Sequence, residues 1–389
     1  MPSPERQYAA FFLTHAGFFL AGIVGTCLGP LLPALTNHWQ LSDAQAGSLF
    51  TMQAGGAMLG AAASGWLTPR YGYRQTLTGG YGLTALAIGA FSQGSLNAGR
   101  ASIFVSGLAL GVVYPATTLL VTELASRKRA QTLNILNLFW GLGAVAAPLL
   151  CAALTRSFGL KGALLLFAAA TLFYNLLNTL FLPARVAPLT TPDDAGQTTA
   201  AAPWLMLIFG GAAFFYCGAE TTAGGWLTTY AQRLANAGAI SWTATMFWMG
   251  LLSGRAGAPL LLRRLSETGL IMLGLGVAAT GQCLLLARPE TPFITIGAGL
   301  TGLGLAPVLP TILALFTQKA GASANRLTGF FYVCTGLGAA FFPGLAGWLA
   351  ARTGQLRFVL ALPLLACLVI PWLLYFAPAA ISSGSRQEQ

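Results

Sequence analysis

Runs of about twenty apolar residues recur along this chain with only short polar breaks between them, and that pattern leaves few folds open. A helix needs ~20 such residues to cross a bilayer. Twelve runs qualify, at about 8–35, 44–66, 76–95, 100–124, 130–154, 161–182, 204–231, 241–262, 268–287, 291–317, 326–350 and 356–377. A backbone in lipid must satisfy its own hydrogen bonds, so each run is read as a helix. Composition excludes a soluble domain: 56% of the 389 residues are hydrophobic and 7% charged, where roughly a quarter charged is usual. The expected fold is an all-α polytopic membrane protein.

The longest polar break, PARVAPLTTPDDAGQTTAAAP at 183–203, separates six predicted helices from six. It divides the chain into an N-terminal bundle at 1–182, a cytoplasmic linker at 183–203 and a C-terminal bundle at 204–389. The halves echo each other at a spacing of 195 residues. GLALGVVYP at 107–115 recurs as GLGLAPVLP at 302–310, and GLGA at 141–144 with Pro148 recurs as GLGA at 336–339 with Pro343. Two matches in one register point to parallel six-helix repeats, for which a solute site near the midplane between the halves and alternating access by rocking are expected.

The net charge of +11 does not form the basic stripe that nucleic acid needs. With the N-terminus inside, twelve of the 20 Lys and Arg residues fall on the cytoplasmic side, seven fall outside, and Arg255 stays within a span. That asymmetry places both termini in the cytoplasm, in what the compact loops suggest is a bacterial inner membrane. The six cysteines, Cys27, Cys151, Cys217, Cys283, Cys334 and Cys367, fall in different spans and at no metal-ligand spacing, so they read as small buried hydrophobes. The first apolar run is too long for a signal-peptide core and reads as an uncleaved first helix.

Between predicted helices 2 and 3 stands Gly65-Trp-Leu-Thr-Pro-Arg-Tyr-Gly-Tyr-Arg74. This loop resembles the signature of the major facilitator superfamily, with Gly65, Leu67, Arg70, Gly72 and Arg74 where the pattern has them and Pro69 in place of its usual acid. The seventh-helix stretch CGAETTAGGWLTTYA is similar to that of the fucose/galactose/glucose symporter branch and its sodium-dependent glucose transporter relatives. Trp140-Gly-Leu-Gly-Ala144 with Pro148, and the helix-8 run ending Gly-Arg255, share that likeness. The resemblance implies two six-helix bundles, solute transport and a gating role for the loop signature. No Asp or Glu lies in predicted helix 1, so a first-helix coupling carboxylate is missing.

The stretch Phe214–Gln232 carries the chemistry. An ionisable side chain at membrane depth costs ~2.5–3.5 kcal/mol or more unless paired or facing water, which makes Glu220 a functional candidate by default. Arg255, one span later, is its opposite charge; the two form either a structural ion pair or a coupling site. Gln53, Asn134, Asn137, Trp140, Glu220, Trp226 and Tyr332 make up a candidate substrate set, because amides, a carboxylate and flat rings suit a sugar's hydroxyls and its C–H face. Glu220, Arg255 and His15 are the candidates for cation coupling, His15 because its free pKa lies near ~6.5. Glu123, just before Arg127–Arg129, reads as a salt bridge at a cytoplasmic gate. Pro30, Pro33, Pro115, Pro148, Pro310 and Pro343 are placed to bend or break helices, and Gly224-Gly225 either lets helix 7 unwind as a gate or packs closely.

No nucleotide loop, nucleophile–base pair or metal constellation is evident, so neither an enzyme nor a self-contained pump is expected. The expected function is secondary active transport of a monosaccharide or similar polar solute, driven by a proton or sodium gradient and needing no cofactor or metal. Its expected partners are that solute and membrane lipid, with the protein acting as a monomer. A drug or metabolite exporter, or an organic-anion transporter using Arg255, is the alternative.

Overall fold

A computed structural model describes residues 4–91, 93–124, 129–182, 203–234, 240–288, 290–320 and 324–384, so nearly all of the predicted linker lies outside the described residues. These residues form only helices: α1 (Pro4–Thr26), α2 (Leu28–Trp39), α3 (Asp43–Phe91), α4 (Leu96–Leu124), α5 (Arg129–Phe181), α6 (Pro203–Leu234), α7 (Ile240–Leu261), α8 (Glu267–Ala287), α9 (Thr291–Leu305), α10 (Val308–Ala320), α11 (Ala324–Thr353) and α12 (Arg357–Gly384). Eight of the described helical stretches are long and apolar enough to cross a membrane by length and composition. The chain is an integral membrane protein.

The twelve crossings follow directly. Crossing 1 is α1 with α2; α3 holds crossings 2 and 3; α4 is crossing 4; α5 holds 5 and 6; α6, α7 and α8 are 7, 8 and 9; α9 with α10 is 10; α11 and α12 are 11 and 12. The two doubled helices turn at Gly72 (φ 79°) and Gly159 (φ 69°), in the left-handed region that glycine enters without a side-chain clash.

Crossings 1 and 10 are the interrupted ones among the described residues. Each carries two prolines three residues apart, Pro30 with Pro33 and Pro307 with Pro310, and each proline withholds an N–H from the carbonyl four residues before it. The breaks fall at Cys27 and at Ala306–Pro307. Pro115, Pro148 and Pro343 sit inside uninterrupted helices, since one missing hydrogen bond is absorbed where two adjacent ones are not. Of the prolines expected to bend or break helices, those of these two crossings accompany a break. Crossing 7 likewise runs unbroken through Gly224-Gly225, and a side chain at Gly224 would meet Trp248 and Phe247 at 3.0 and 3.3 Å. Close packing explains that glycine, and unwinding does not.

The chain divides into two compact units, Met1–Pro192 and Asp193–Gln389. Inside each, helices meet backbone to backbone at glycines, the usual way helices associate in lipid. A methyl at Gly143 would lie 2.1 Å from the Phe19 carbonyl oxygen, and one at Gly338 would lie 2.0 Å from that of Phe214. Gly60 against the Leu108 carbonyl repeats as Gly254 against Leu303, and Gly107 against Gln53 repeats as Gly302 against Phe247. Residues of crossings 1, 4 and 5 find their counterparts 195 positions on, and those of crossing 2 find theirs one residue sooner. The internal repeat is thus a repeat of contacts: crossing 1 on 5 and 2 on 4 in the first unit, 7 on 11 and 8 on 10 in the second.

A prediction follows for these contacts. Gly338→Leu forces a side chain into the Phe214 carbonyl and is expected to cost about 3 kcal/mol or more, seen as a lowered melting temperature in detergent. Gly329→Leu, at a position where an added Cβ meets nothing within 4 Å, is expected to leave the melting temperature within a few degrees.

Candidate functional site

In the second unit, Glu220 lies mid-way along crossing 7 with Tyr216 one turn before it. That i, i+4 spacing puts both side chains on one face of the helix, and the Tyr216 hydroxyl donates to Glu220 Oε2. From crossing 8, Arg255 reaches the same oxygen, its guanidinium nitrogen 3.5 Å away. A tight charge-assisted bond is shorter, ~2.7–2.9 Å, so this is an open single contact rather than a bidentate clamp. The Glu220 side chain keeps 15% of its exposure and Arg255 keeps 32%. Both charges can therefore reach something beyond each other. Arg255 Nε, by contrast, is buried with no acceptor among the described residues.

Thr221 and Thr222 do not enlarge this cluster. The Thr221 hydroxyl donates to the Cys217 carbonyl at 2.6 Å, and Thr222 is fully buried two residues along, on the far side of the helix. Tyr332, from crossing 11, is 55% exposed. Trp226 differs from the expectation: none of its surface is exposed, and its indole N–H donates to the Pro343 carbonyl of crossing 11 at 3.2 Å. A ring so enclosed has no face for a solute. Its size and its position less than two turns from Glu220 suggested a binding platform, whereas it ties crossings 7 and 11 together.

The first unit holds the remaining candidates. Gln53 is half-buried and its amide nitrogen faces the Gly25 carbonyl at 3.5 Å. Trp140 packs with Tyr114 against the core formed by Phe18, Val121 and Leu136. Asn134 and Asn137 are exposed, and the Asn137 amide donates to its own helix at Leu133, 3.0 Å away. His15 is buried among Phe11 and Phe139. Its Nδ1 lies 2.7 Å from the Phe11 carbonyl, which can only accept, so Nδ1 carries the proton. Nε2 is then a buried nitrogen with no partner among the described residues.

At the far end of crossings 3 and 4, Tyr73 donates its hydroxyl to Glu123 Oε1 at 2.6 Å. The expected salt-bridge partners Arg127 and Lys128, and the side chain of Arg129, lie outside the described residues. Burial and the Glu123 carboxylate both raise the Tyr73 pKa above the ordinary phenol value, which keeps the hydroxyl a donor. An equivalent bond joins crossings 9 and 10, where the Gln318 amide donates to Glu267 Oε1 at 2.7 Å. In the signature loop, Gly65 is open to any side chain, Gly72 makes the turn, and Arg70 stacks on Trp66 and Tyr71 with centroids 5.2 and 5.7 Å away. Arg74 is half-buried. Three of the six cysteines also depart from the buried reading: Cys283 is exposed, and Cys334 and Cys217 are half-buried, Cys217 next to Tyr216 in the helix.

The family model described as "Major Facilitator Superfamily" matches residues 14–266. This chain belongs to the Major Facilitator Superfamily. Curated relatives named as transporters match part of it. It is 27% identical over 189 residues to the 4-hydroxybenzoate transporter PcaK of Pseudomonas putida, covering 47% of this chain and 41% of that one. It is 32% identical over 157 residues to the putative niacin/nicotinamide transporter NiaP of Bacillus subtilis, covering 39% and 38%. The chain thus spans about two fifths of the length of these relatives. Its fold is similar to that of a point mutant of the nucleoside transporter NupG, with a TM-score of 0.77 at 14% identity, covering 94% of this chain and 98% of that one. It is also similar to FucP in the outward conformation, with a TM-score of 0.62 at 19% identity and the same coverage.

The geometry separates packing from binding at Trp226. Trp226→Phe removes the indole N–H and is expected to lower stability by about 1 kcal/mol, read as a lower melting temperature. Its KM for a transported solute is expected to stay at the wild-type value; a several-fold rise would return Trp226 to the binding set.

Proposed function

We propose that this protein is a secondary active transporter that moves a small neutral polar solute, a monosaccharide in the first instance, by alternating access and couples it to a cation at Glu220. The observation that carries this reading is the Glu220–Arg255 contact within the span. Two charges that already oppose each other leave no surplus positive charge to attract an anion, while the part-exposed Glu220 carboxylate, held by the buried Tyr216 hydroxyl, can accept hydrogen bonds from solute hydroxyls.

The coupling step follows from the same contact. Protonation of Glu220 removes the attraction to Arg255 and turns one carboxylate oxygen from acceptor into donor. Solute arriving at Arg255 and a proton arriving at Glu220 then favour the same rearrangement, which is what coupling requires. A proton suits this site better than sodium, because Thr221 and Thr222 supply no oxygen beside the carboxylate. His15, with its bare Nε2, is a second proton acceptor in the other unit. We place the protein in a bacterial inner membrane with both termini cytoplasmic, as the distribution of its basic residues favours.

A second reading is favoured by the named relatives, one a 4-hydroxybenzoate and one a putative niacin transporter. In it an aromatic carboxylate displaces Glu220 from Arg255 and takes the guanidinium for itself.

One panel decides between them. Proteoliposomes carrying wild type or Glu220→Gln are given labelled glucose, galactose, fucose, 4-hydroxybenzoate and niacin under an imposed proton or sodium gradient. Proton-driven accumulation of a sugar that Glu220→Gln abolishes is the expected result. Accumulation of the aromatic acids with no sugar carried would replace this reading with the second.

A further inference from the structure

The repeat assigns a counterpart to each member of the charged cluster. In the register set by Gly143 with Gly338, the counterpart of Glu220 is Gly25; in the crossing-2 register set by Gly60 with Gly254, that of Arg255 is Ala61. The first unit therefore has no charge where the second has two. Ala61 is an exposed methyl that fills nothing. The space at Gly25, by contrast, is taken. A methyl at Gly25 would lie 2.3 Å from the Tyr114 hydroxyl oxygen, so glycine at 25 is what lets that hydroxyl sit beside crossing 1.

Three polar side chains converge on this place from three crossings. The Tyr114 hydroxyl, from crossing 4, donates to the Ala21 carbonyl at 3.2 Å, and Ala21 is the repeat counterpart of Tyr216. Gln53, from crossing 2, points its amide at the Gly25 carbonyl at 3.5 Å. Trp140, from crossing 5, packs beside Tyr114 against the same core of Phe18, Val121 and Leu136. All three are half-buried rather than enclosed. Phe18 meets the Tyr114 ring edge-on at 5.8 Å and holds it upright.

We propose that Tyr114, with Gln53 and Trp140, is the solute-binding set of the N-terminal unit and the uncharged counterpart of Tyr216, Glu220 and Arg255. The inference rests on the transport reading above and names a residue that sequence patterns did not single out. The chemistry of the set defines what it takes. A phenol hydroxyl and a carboxamide hydrogen-bond a neutral hydroxyl or ring oxygen, and the indole face covers an apolar ring surface. Tyr114 and its neighbours thus receive a neutral, hydroxyl-bearing part of the solute.

The test works whatever the solute is. With the six cysteines replaced by serine, Tyr114→Cys and Glu220→Cys are made separately and treated in proteoliposomes with a charged methanethiosulfonate reagent. Both are expected to react, because a residue that contacts the solute must lie on its aqueous path. An inert Tyr114→Cys beside a reactive Glu220→Cys overturns the inference and leaves the transport reading standing. A reactive Tyr114→Cys beside an inert Glu220→Cys supports the inference and sinks the assignment of Glu220. Should the cysteine-free chain fail to fold, Tyr114→Phe in the native chain carries the test with labelled glucose, galactose and fucose. Loss of one solute hydrogen bond is expected to raise KM about tenfold at an unchanged maximal rate, and an unchanged KM overturns the inference.

Discussion

Helices in lipid gain nothing by hiding apolar side chains from one another, so each bundle here depends on how closely its backbones approach. The approach is made at glycines. Gly143, Gly60 and Gly107 in the first unit and Gly338, Gly254 and Gly302 in the second each set a helix against a carbonyl oxygen of its neighbour. Because these contacts recur at a spacing that holds to within one residue, they keep corresponding crossings in corresponding places. The functional residues can then differ between units without disturbing either bundle. Gly25 borders a neutral cluster, and Glu220, at the equivalent position of the second unit, joins Arg255 in a charged one.

That division of labour makes physical sense of an expensive feature. A charge pair inside the membrane contributes little stability as a rule, because desolvation offsets the attraction. The contact between Glu220 and Arg255 is long for an ion pair and shares its oxygen with Tyr216, so it is poorly suited to serve as a fastener. Trp226, fully buried and hydrogen-bonded across to crossing 11, does the fastening less than two turns away. The bundle is held by groups that stay neutral, which leaves the charged groups free to exchange partners.

Much of this was legible in the sequence for reasons that can be named. Apolar runs long enough to span a bilayer report their own helices, and a repeat of Gly and Pro at one spacing reports the paired units. An acid and a base within apolar runs report each other. The orientation of an individual aromatic ring is another matter. Trp226 and Trp140 look alike along the chain, yet one is sealed between two helices and the other lies half-open beside Tyr114, because burial depends on which neighbouring helix turns toward the ring. Tyr216 and Tyr114 were missed for the converse reason. A tyrosine among apolar residues looks like core until its hydroxyl is seen to meet a carboxylate or to fill the space that a glycine leaves. The breaks at Cys27 and Pro307 also depend on spacing, two prolines three residues apart, rather than on proline as such.

The central claim is that Glu220 and Arg255 are retained for coupling and not for folding, and neutralising both at once tests it most directly. In Glu220→Gln with Arg255→Leu no unpaired charge remains, so the fold loses little. The account predicts a chain with a near-wild-type melting temperature that no longer accumulates solute against its gradient. Undiminished gradient-driven accumulation by the doubly neutral chain would contradict it.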